Sequence, residues 1–230
     1  MLKNTNMYYI DNPYARLAYY ENDLIILTLR DNKFHFIKNV PAESVEMLYA
    51  PTDELTESML HRALYNIGAL TKSRNRSSHS LSRLIPRNYV EERWMMPVSP
   101  DVSLTGRDII NALIALLRAA CIVKFGGFKR IASSAGGRWA AGTPALDTDT
   151  TVRVAICSLN CVFPLDFSGN RCLTYSLALT LLLKRHIPGI KLVVGVRTRP
   201  FLSHAWVEHN KKVINDDPEL RHKLAVILEI

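Results

Sequence analysis

The chain has 230 residues, 48% of them hydrophobic and 22% charged, which allows one large domain or a small domain followed by a medium one. Its four cysteines are too few for a disulfide scaffold at this length, which excludes the small disulfide-rich class and favours reduced thiols in a cytoplasm. The net charge of +8 suggests an anionic partner, but no helix-turn-helix spacing, zinc finger or aromatic–basic motif is present, so we expect no nucleic acid partner.

Residues 1–70 begin with strand signals. Short β-branched or aromatic runs, each bounded by turn-forming residues, occupy Arg16–Tyr20, Leu24–Leu29 and Lys33–Ile37. In the third run, Phe34 and Phe36 alternate with polar residues, as in a half-buried strand. These runs predict three strands.

Helix signals follow the strands. Pro41 suits the first position of a helix over Ala42–Tyr49. A second helix is predicted to begin near Asp53 and to end at Gly68, with its apolar residues on one face (Leu55, Met59, Leu60, Leu64 and Ile67). Three strands and two helices make residues 1–70 a compact module.

Residues 71–88 are rich in Ser and Arg, which predicts a linker ahead of a second domain at 89–230. In that domain, Gly106–Lys124 is typical of a buried helix. Its longest unbroken apolar run, Ala112–Leu117, is far short of the ~20 residues that a membrane span needs, so we expect no transmembrane segment. No sustained period appears in Phe125–Pro144, so an irregular segment is predicted there.

The last third of the chain combines helices with strands. Asp147 is a plausible N-cap for a helix that reaches about Cys161, and Ser168-Gly169-Asn170 is predicted to turn before a second, strongly apolar helix. That helix and three strands, the last two joined by the turn Asn210-Lys211, are predicted over Cys172–His186, Lys191–Arg197, Ser203–His209 and Lys212–Ile214. The start of the chain has no apolar segment behind a basic head, so no signal peptide is expected.

Three residues in the last third of the chain form a candidate catalytic site. Cys172 opens an apolar helix, where exposed amides and the helix dipole favour the thiolate. His204 follows near the start of a predicted strand, and Asp216 comes directly after the next short strand. On a hairpin this spacing sets the carboxylate beside the imidazole, where we expect it to bind Nδ1 and leave Nε2 to face the sulfur. The arrangement is typical of a cysteine nucleophile, its base and the group that orients the base.

Each residue also has an ordinary structural interpretation. A cysteine that heads an apolar helix is often core, and Asp-Asp-Pro is common turn chemistry in which Asp217 competes with Asp216. The amide of Cys172 is the natural first oxyanion donor, and spacing does not choose between Asn170 and Asn160 as the second. Trp206 is expected on the same strand face as His204, either screening the site or packing in the core.

The C-terminal sequence resembles a known family. The segments CLTYSLALTLLLKR, LVVGVRTRPFLSHAWVE and VINDDPELRHKLAVILEI resemble the B proteins of lasso-peptide biosynthesis, in the microcin-type single-chain form. The resemblance extends through NYVEERWMMP and the N-terminal module. It implies a transglutaminase-like, papain-like cysteine peptidase domain in an α+β chain, with Cys172, His204 and Asp216 as the triad.

The resemblance also implies partners. Residues 1–70 would be a small winged-helix-like leader-recognition domain. Three helices are usual after its strands, so here the element is shortened or its third helix lies in 71–88. The leader peptide would add as a strand beside Lys33–Ile37, bound by Phe34, Phe36, Leu60 and Leu64, although each of these is also a natural core residue. The second partner would be an asparagine-synthetase-like, ATP-using cyclase. No Walker-type loop is present in this chain, so ATP dependence would come through that partner, and we expect no cofactor or metal.

The expected function is therefore leader removal from a lasso-peptide precursor in a bacterial cytoplasm. An acyltransferase or transglutaminase with the same triad remains an alternative, as does a non-catalytic adaptor that presents the precursor to the cyclase. Two stretches, Ile109–Leu146 and Phe167–Val207, contain Lys and Arg but no Asp or Glu. They are compatible with an acidic peptide, a nucleotide phosphate or a surface kept for solubility.

Overall fold

A computed structural model of the protein describes residues 8–50, 57–73, 81–84, 102–136 and 147–230. The fold is α+β, as predicted. Within these residues, the strands form two four-stranded sheets and one two-stranded sheet, with the helices packed on their faces.

The N-terminal sheet is built from the three predicted strands. Strand β1 (Tyr8–Asp11) precedes them, and β2 (Ala15–Tyr20), β3 (Asp23–Thr28) and β4 (Lys33–Ile37) then form an antiparallel meander in which β4 is an outer strand. Glu21 and Asn32, in the connecting turns, have positive φ values of 54° and 56°. The prediction of these strands is confirmed.

Two further strands occupy the described part of residues 71–88. Strand β5 (Leu70–Ser73) pairs antiparallel with β1, and β6 (Ser82–Leu84) pairs parallel with β2. Composition alone predicted a linker here, because short polar strands that complete existing edges carry little hydrophobic signal of their own. Residues 74–80 and 85–88 lie outside the described residues, and the domain boundary stays a prediction.

The helices of the N-terminal module are short. Helix α1 (Ala42–Glu46) runs into a 3-10 turn, and α2 (Met59–Asn66) begins after Ser58, whose side chain caps it. Gly68, with φ of 77°, follows the helix as predicted. The predicted start near Asp53 lies outside the described residues. The described part of 71–88 contains strands, so it offers no third helix.

Helix α3 (Gly106–Gly136) is longer than predicted. It kinks at Gly127, where φ is 62°, and then continues, so the prediction of an irregular segment is wrong for residues 125–136. The Gly126-Gly127 pair interrupts the helical spacing of apolar residues in the sequence. Ile131 and Ala135 restore that spacing and pack into the core. By length and composition α3 would suffice to cross a membrane, and 28% of its most apolar 18-residue window is buried inside the fold. Residues 137–144 lie outside the described residues.

The C-terminal part follows the predicted order. Helices α4 (Thr148–Val162) and α5 (Arg171–Leu183) precede the antiparallel strands β7 (Ile190–Arg197), β8 (Leu202–His209) and β9 (Lys212–Val213). Asn210 and Lys211 both have positive φ, as a tight hairpin turn requires. Sequence reasoning missed α6 (Leu220–Lys223) and β10 (Ala225–Glu229), which pairs with β7.

The N-terminal sheet is covered on both faces. Ile25 and Leu27 belong to the core built by α3, α4, α5 and the C-terminal sheet, whereas Leu24 and Ile26 belong to a separate core beneath α1 and α2. Because strand residues alternate between faces, β3 is buried throughout. The N-terminal module therefore packs directly on the C-terminal part of the chain.

Candidate active site

Cys172 lies in the first turn of α5, which packs on the C-terminal sheet. The turn before the helix is held by hydrogen bonds from the backbone and hydroxyl of Ser168 to Asp166 and by a contact between the Ser168 and Thr174 hydroxyls. The side-chain oxygen of Asn170, the N-cap residue, lies 3.8 Å from Cys172 Sγ. The thiol is therefore fixed at a helix N-terminus, where the dipole and free amides stabilise negative charge.

His204 projects from β8 beside this thiol, and Asp216 approaches it from the segment after β9. His204 Nε2 lies 2.7 Å from Asp216 Oδ2. The predicted triad is thus brought together, but the predicted ring orientation is wrong, since Nε2 and not Nδ1 contacts the carboxylate. Because Asp216 engages Nε2, Nδ1 is the ring nitrogen left for the hydrogen bond between His204 and the Cys172 thiol.

Burial and the neighbouring groups shift the pKa values of Cys172 and His204 in opposite directions. Burial raises the pKa of the Cys172 thiol, but the hydrogen bond and charge of His204 outweigh it and hold that pKa below the ordinary value. Burial likewise lowers the pKa of His204, yet hydrogen bonds to Asp216 and Cys172 together with their charges raise it to about 9. Both directions favour a thiolate–imidazolium pair near neutral pH.

The structure distinguishes Asp216 from its neighbour. The backbone N–H of Asp217 donates to Asp216 Oδ1 at 2.7 Å, which helps to fix the carboxylate that faces His204. The Asp217 side chain pairs instead with Lys223 and accepts the N–H of Glu219 at 2.8 Å. Asp217 is therefore engaged away from the imidazole.

Asn215 is a residue that sequence reasoning missed. It is fully buried, and its Oδ1 accepts the N–H of Val207 at 2.7 Å. Its amide nitrogen lies 3.5 Å from Ser176 Oγ, which donates to the Ala205 carbonyl at 2.9 Å. These bonds join α5, β8 and the segment that carries Asp216. No sequence signal separates Asn215 from an ordinary turn asparagine.

Trp206 supports the histidine from below. As expected, both residues lie on one strand face, with their rings stacked at 6.3 Å between centroids. Trp206 is fully buried, and its Nε1 donates to Glu208 at 2.8 Å. Glu208 is in turn bound by Arg221, with a shortest N–O distance of 2.7 Å. Trp206 is thus both a core residue and the surface against which His204 rests.

The two candidate oxyanion donors differ in position. Asn170 lies beside the thiol, whereas the Asn160 side-chain oxygen accepts a hydrogen bond from Tyr175 Oη at 3.0 Å. Asn170 is thus the candidate nearer the thiol, but the atom beside Sγ is its side-chain oxygen, an acceptor, so the second oxyanion donor stays a prediction. Within the described ranges, no group of three or more His, Cys, Asp and Glu side chains is placed to hold a metal ion.

The structure does not bring the four predicted leader-binding residues together. Leu64 is completely buried in the core beneath α1 and α2. Leu60 is half-buried and lines a cavity of about 300 Å³ between the end of β4 and α2. Phe34 and Phe36 lie on the opposite face of β4, where both rings contact Phe201. A peptide strand paired with the β4 edge would therefore meet Phe34 and Phe36 on one face of the sheet and Leu60 on the other.

Comparisons with known proteins agree with this geometry. Residues 113–229 match the transglutaminase-like superfamily. The chain is 32% identical to the microcin J25-processing protein McjB of Escherichia coli over 222 residues, which is 93% of this chain and 98% of that protein. No solved structure matches the chain. The chain therefore belongs to the transglutaminase-like superfamily and, within it, to the B proteins of lasso-peptide biosynthesis.

Proposed function

We propose that this protein is a cysteine peptidase that removes the leader from a ribosomally made lasso-peptide precursor. The observation that carries the proposal is the contact of Cys172, at a helix N-terminus, with a His204 that is itself bound to Asp216. A relative named as a processing protein over nearly the whole chain adds support. The triad has the order and geometry of an activated nucleophile with an oriented base.

In the proposed reaction, the Cys172 thiolate attacks the carbonyl at the leader–core junction. The amide of Cys172, with Asn170 beside it, stabilises the oxyanion that develops on the carbonyl oxygen. The His204 imidazolium gives its Nδ1 proton to the leaving amine, while Asp216 holds Nε2. The neutral imidazole then takes a proton from water, which hydrolyses the thioester and releases the free acid of the leader.

The N-terminal sheet supplies the proposed place for the leader. Among the described strands, none pairs with the outer edge of β4, so this edge is free to accept a peptide strand. The cavity lined by Ile37, Leu60 and Ala63 lies beside that edge and suits an apolar side chain. Leader binding by β-strand addition is therefore the proposed mode.

The proposed setting is the bacterial cytoplasm, together with an asparagine-synthetase-like cyclase that closes the core peptide. Leader removal exposes the amine that such a cyclase needs, which links the two reactions chemically. In this proposal, ATP acts through the cyclase, since no phosphate-binding loop is found in the sequence.

The test is mass spectrometry of the cognate precursor incubated with the wild-type protein or with Cys172→Ala, each with and without the cyclase and ATP. We expect free leader only where Cys172 is intact. A conjugate with added mass would instead indicate an acyltransferase or transglutaminase. Unchanged precursor in every reaction, despite leader binding, would indicate an adaptor. The reactions with and without ATP measure how far the cyclase is needed.

A further inference from the structure

The β7–β8 hairpin, which carries His204, reaches the N-terminal sheet with its tip. Arg199, at this tip, binds Asp23 at the start of β3 through Nη2 at 3.0 Å and Nε at 3.2 Å. The same Nη2 lies 3.2 Å from Asn39 Oδ1. Because Asp23 is completely buried, this ion pair is shielded on one side and fixes the hairpin against the sheet.

Just beyond Arg199 on this tip, Phe201 stands against the outer strand of that sheet. Its ring centroid lies 5.2 Å from that of Phe34 and 5.0 Å from that of Phe36. Phe34 also contacts Phe128 of α3, with 6.0 Å between ring centroids. Phe36 and Phe201 nevertheless remain 41% and 45% exposed. An exposed apolar aromatic surface therefore lies directly beside the β4 edge with which none of the described strands pairs.

A peptide strand on this edge would project its side chains alternately to the two faces of the sheet. On one face they would meet the cavity lined by Ile37 and Leu60. On the other face they would meet Phe36 and Phe201. The second surface does not belong to the N-terminal module alone, since Phe201 comes from the hairpin whose second strand carries His204 close behind it.

We propose that Phe36 and Phe201 form a second subsite for the leader. This subsite takes a bulky apolar side chain on the sheet face opposite the cavity lined by Ile37 and Leu60. The inference rests on the proposed function and deepens it. The leader would be held between the N-terminal module and the hairpin of the catalytic domain, so that recognition sets the register of the scissile bond. The strand distance from Phe201 to His204 is about 10 Å, which places this subsite near the reacting groups.

The chemistry of the pair suits such a role. Exposed aromatic rings in contact are rigid and apolar, and residues of this kind provide much of the affinity at peptide interfaces. Phe34, more buried and packed on Phe128, supports them from behind. A precursor residue such as Leu, Ile or Phe would complete the aromatic cluster and remove its exposed surface from water.

The first test is the affinity of a fluorescent leader peptide for the full-length protein, measured by anisotropy. We expect Phe201→Ala to bind about tenfold more weakly and Phe201→Leu to lose about threefold or less. Phe125→Ala, which removes an exposed ring on α3, is the matched control and should bind as the wild type does. Unchanged affinity in Phe201→Ala would overturn the proposal.

The second test uses the parity of a strand. Alanine is placed at successive leader positions, and each peptide is measured against wild type, Phe201→Ala and Leu60→Ala. Leader positions that couple to Phe201 should be separated from those that couple to Leu60 by an odd number of residues. Coupling of Phe201 and Leu60 to the same positions, or to positions an even number apart, would contradict the two-faced arrangement.

A structural role for Phe201 is separated from a binding role by the reaction of Cys172 with iodoacetamide without peptide. We expect Phe201→Ala to keep the wild-type alkylation rate while losing leader affinity. A variant whose alkylation slows and whose affinity is unchanged would show that Phe201 only positions His204, which overturns the inference. If the wild type binds leader with the expected parity but never cleaves it, the peptidase proposal fails and the subsite stands.

Discussion

The catalytic centre and the leader-binding edge teach different things about what a sequence reveals. At the centre, Cys172, His204 and Asp216 meet as their order and spacing predicted. At the edge, the four predicted residues divide into a core leucine, a cavity leucine and two rings on the opposite face. Catalysis needs particular residue types in a fixed spatial arrangement, whereas apolar recognition uses residues that also build cores.

The largest expected effect concerns the catalytic pair. Cys172→Ala and His204→Ala should each abolish precursor cleavage to the same extent, because nucleophile and base act as a unit. Leader affinity should stay at the wild-type level, since neither residue lies at the β4 edge. Cleavage is measured by mass spectrometry and folding by circular dichroism. Cys161→Ala, which removes an exposed thiol, is the matched control and should cleave normally. Cleavage by well-folded Cys172→Ala would refute the assignment.

A smaller effect is expected at the adjacent carboxylates. Asp216→Asn should lower kcat by about 10²-fold or more, because the amide no longer stabilises the imidazolium. Precursor affinity should hardly change. Asp217→Asn loses only the pair with Lys223 and should keep kcat within about threefold. Steady-state kinetics on both variants checks this, and the reverse order of damage would move the third catalytic role to Asp217.

The pH dependence of thiol alkylation tests the charge state of the pair. The pKa of Cys172 lies below its ordinary value and that of His204 is raised to about 9, so alkylation should stay fast through neutral pH. The ion pair is lost below the thiol pKa and again as pH rises through about 9, where His204 loses its proton. The contribution of the ion pair to the free energy of unfolding should also be lost as pH rises through about 9, because the pKa of His204 in the folded protein exceeds its ordinary value.

The variant His204→Ala predicts the direction in which this pH profile should move. In His204→Ala the thiol loses the hydrogen bond and charge that lower its pKa most, whereas burial, which raises that pKa, and the weaker backbone hydrogen bonds of Ala205 and Leu173, which lower it, remain. The acidic limb of the iodoacetamide rate profile should therefore move to higher pH than in the wild type. An unshifted limb would mean that His204 does not stabilise the thiolate.

The same contrast explains what could be predicted. The strands around Phe34 and the apolar helix after Cys172 carry strong periodicity and were predicted nearly to the residue. Strand β6 was not, because its pairing with β2 depends on an edge that only the fold creates. Likewise, the contact of His204 Nε2 with Asp216 depends on the side-chain conformation in the folded protein, which residue spacing does not determine. The role of Phe201 also needs the fold, since Phe201 and Phe36 lie near opposite ends of the chain and meet only in the folded protein.

The smallest expected effects separate the two leucines of α2. Leu64→Ala should lower the free energy of unfolding by about 2–5 kcal/mol, because Leu64 is completely buried and truncation leaves a cavity. Leu60→Ala removes a half-buried side chain that lines an open cavity, so its cost should be about 1 kcal/mol or less. Urea denaturation measures both. Leader binding should respond in the opposite order, with weaker binding in folded Leu60→Ala. If only Leu64→Ala impaired the leader under conditions where it remains folded, the cavity beside β4 would not be the recognition site.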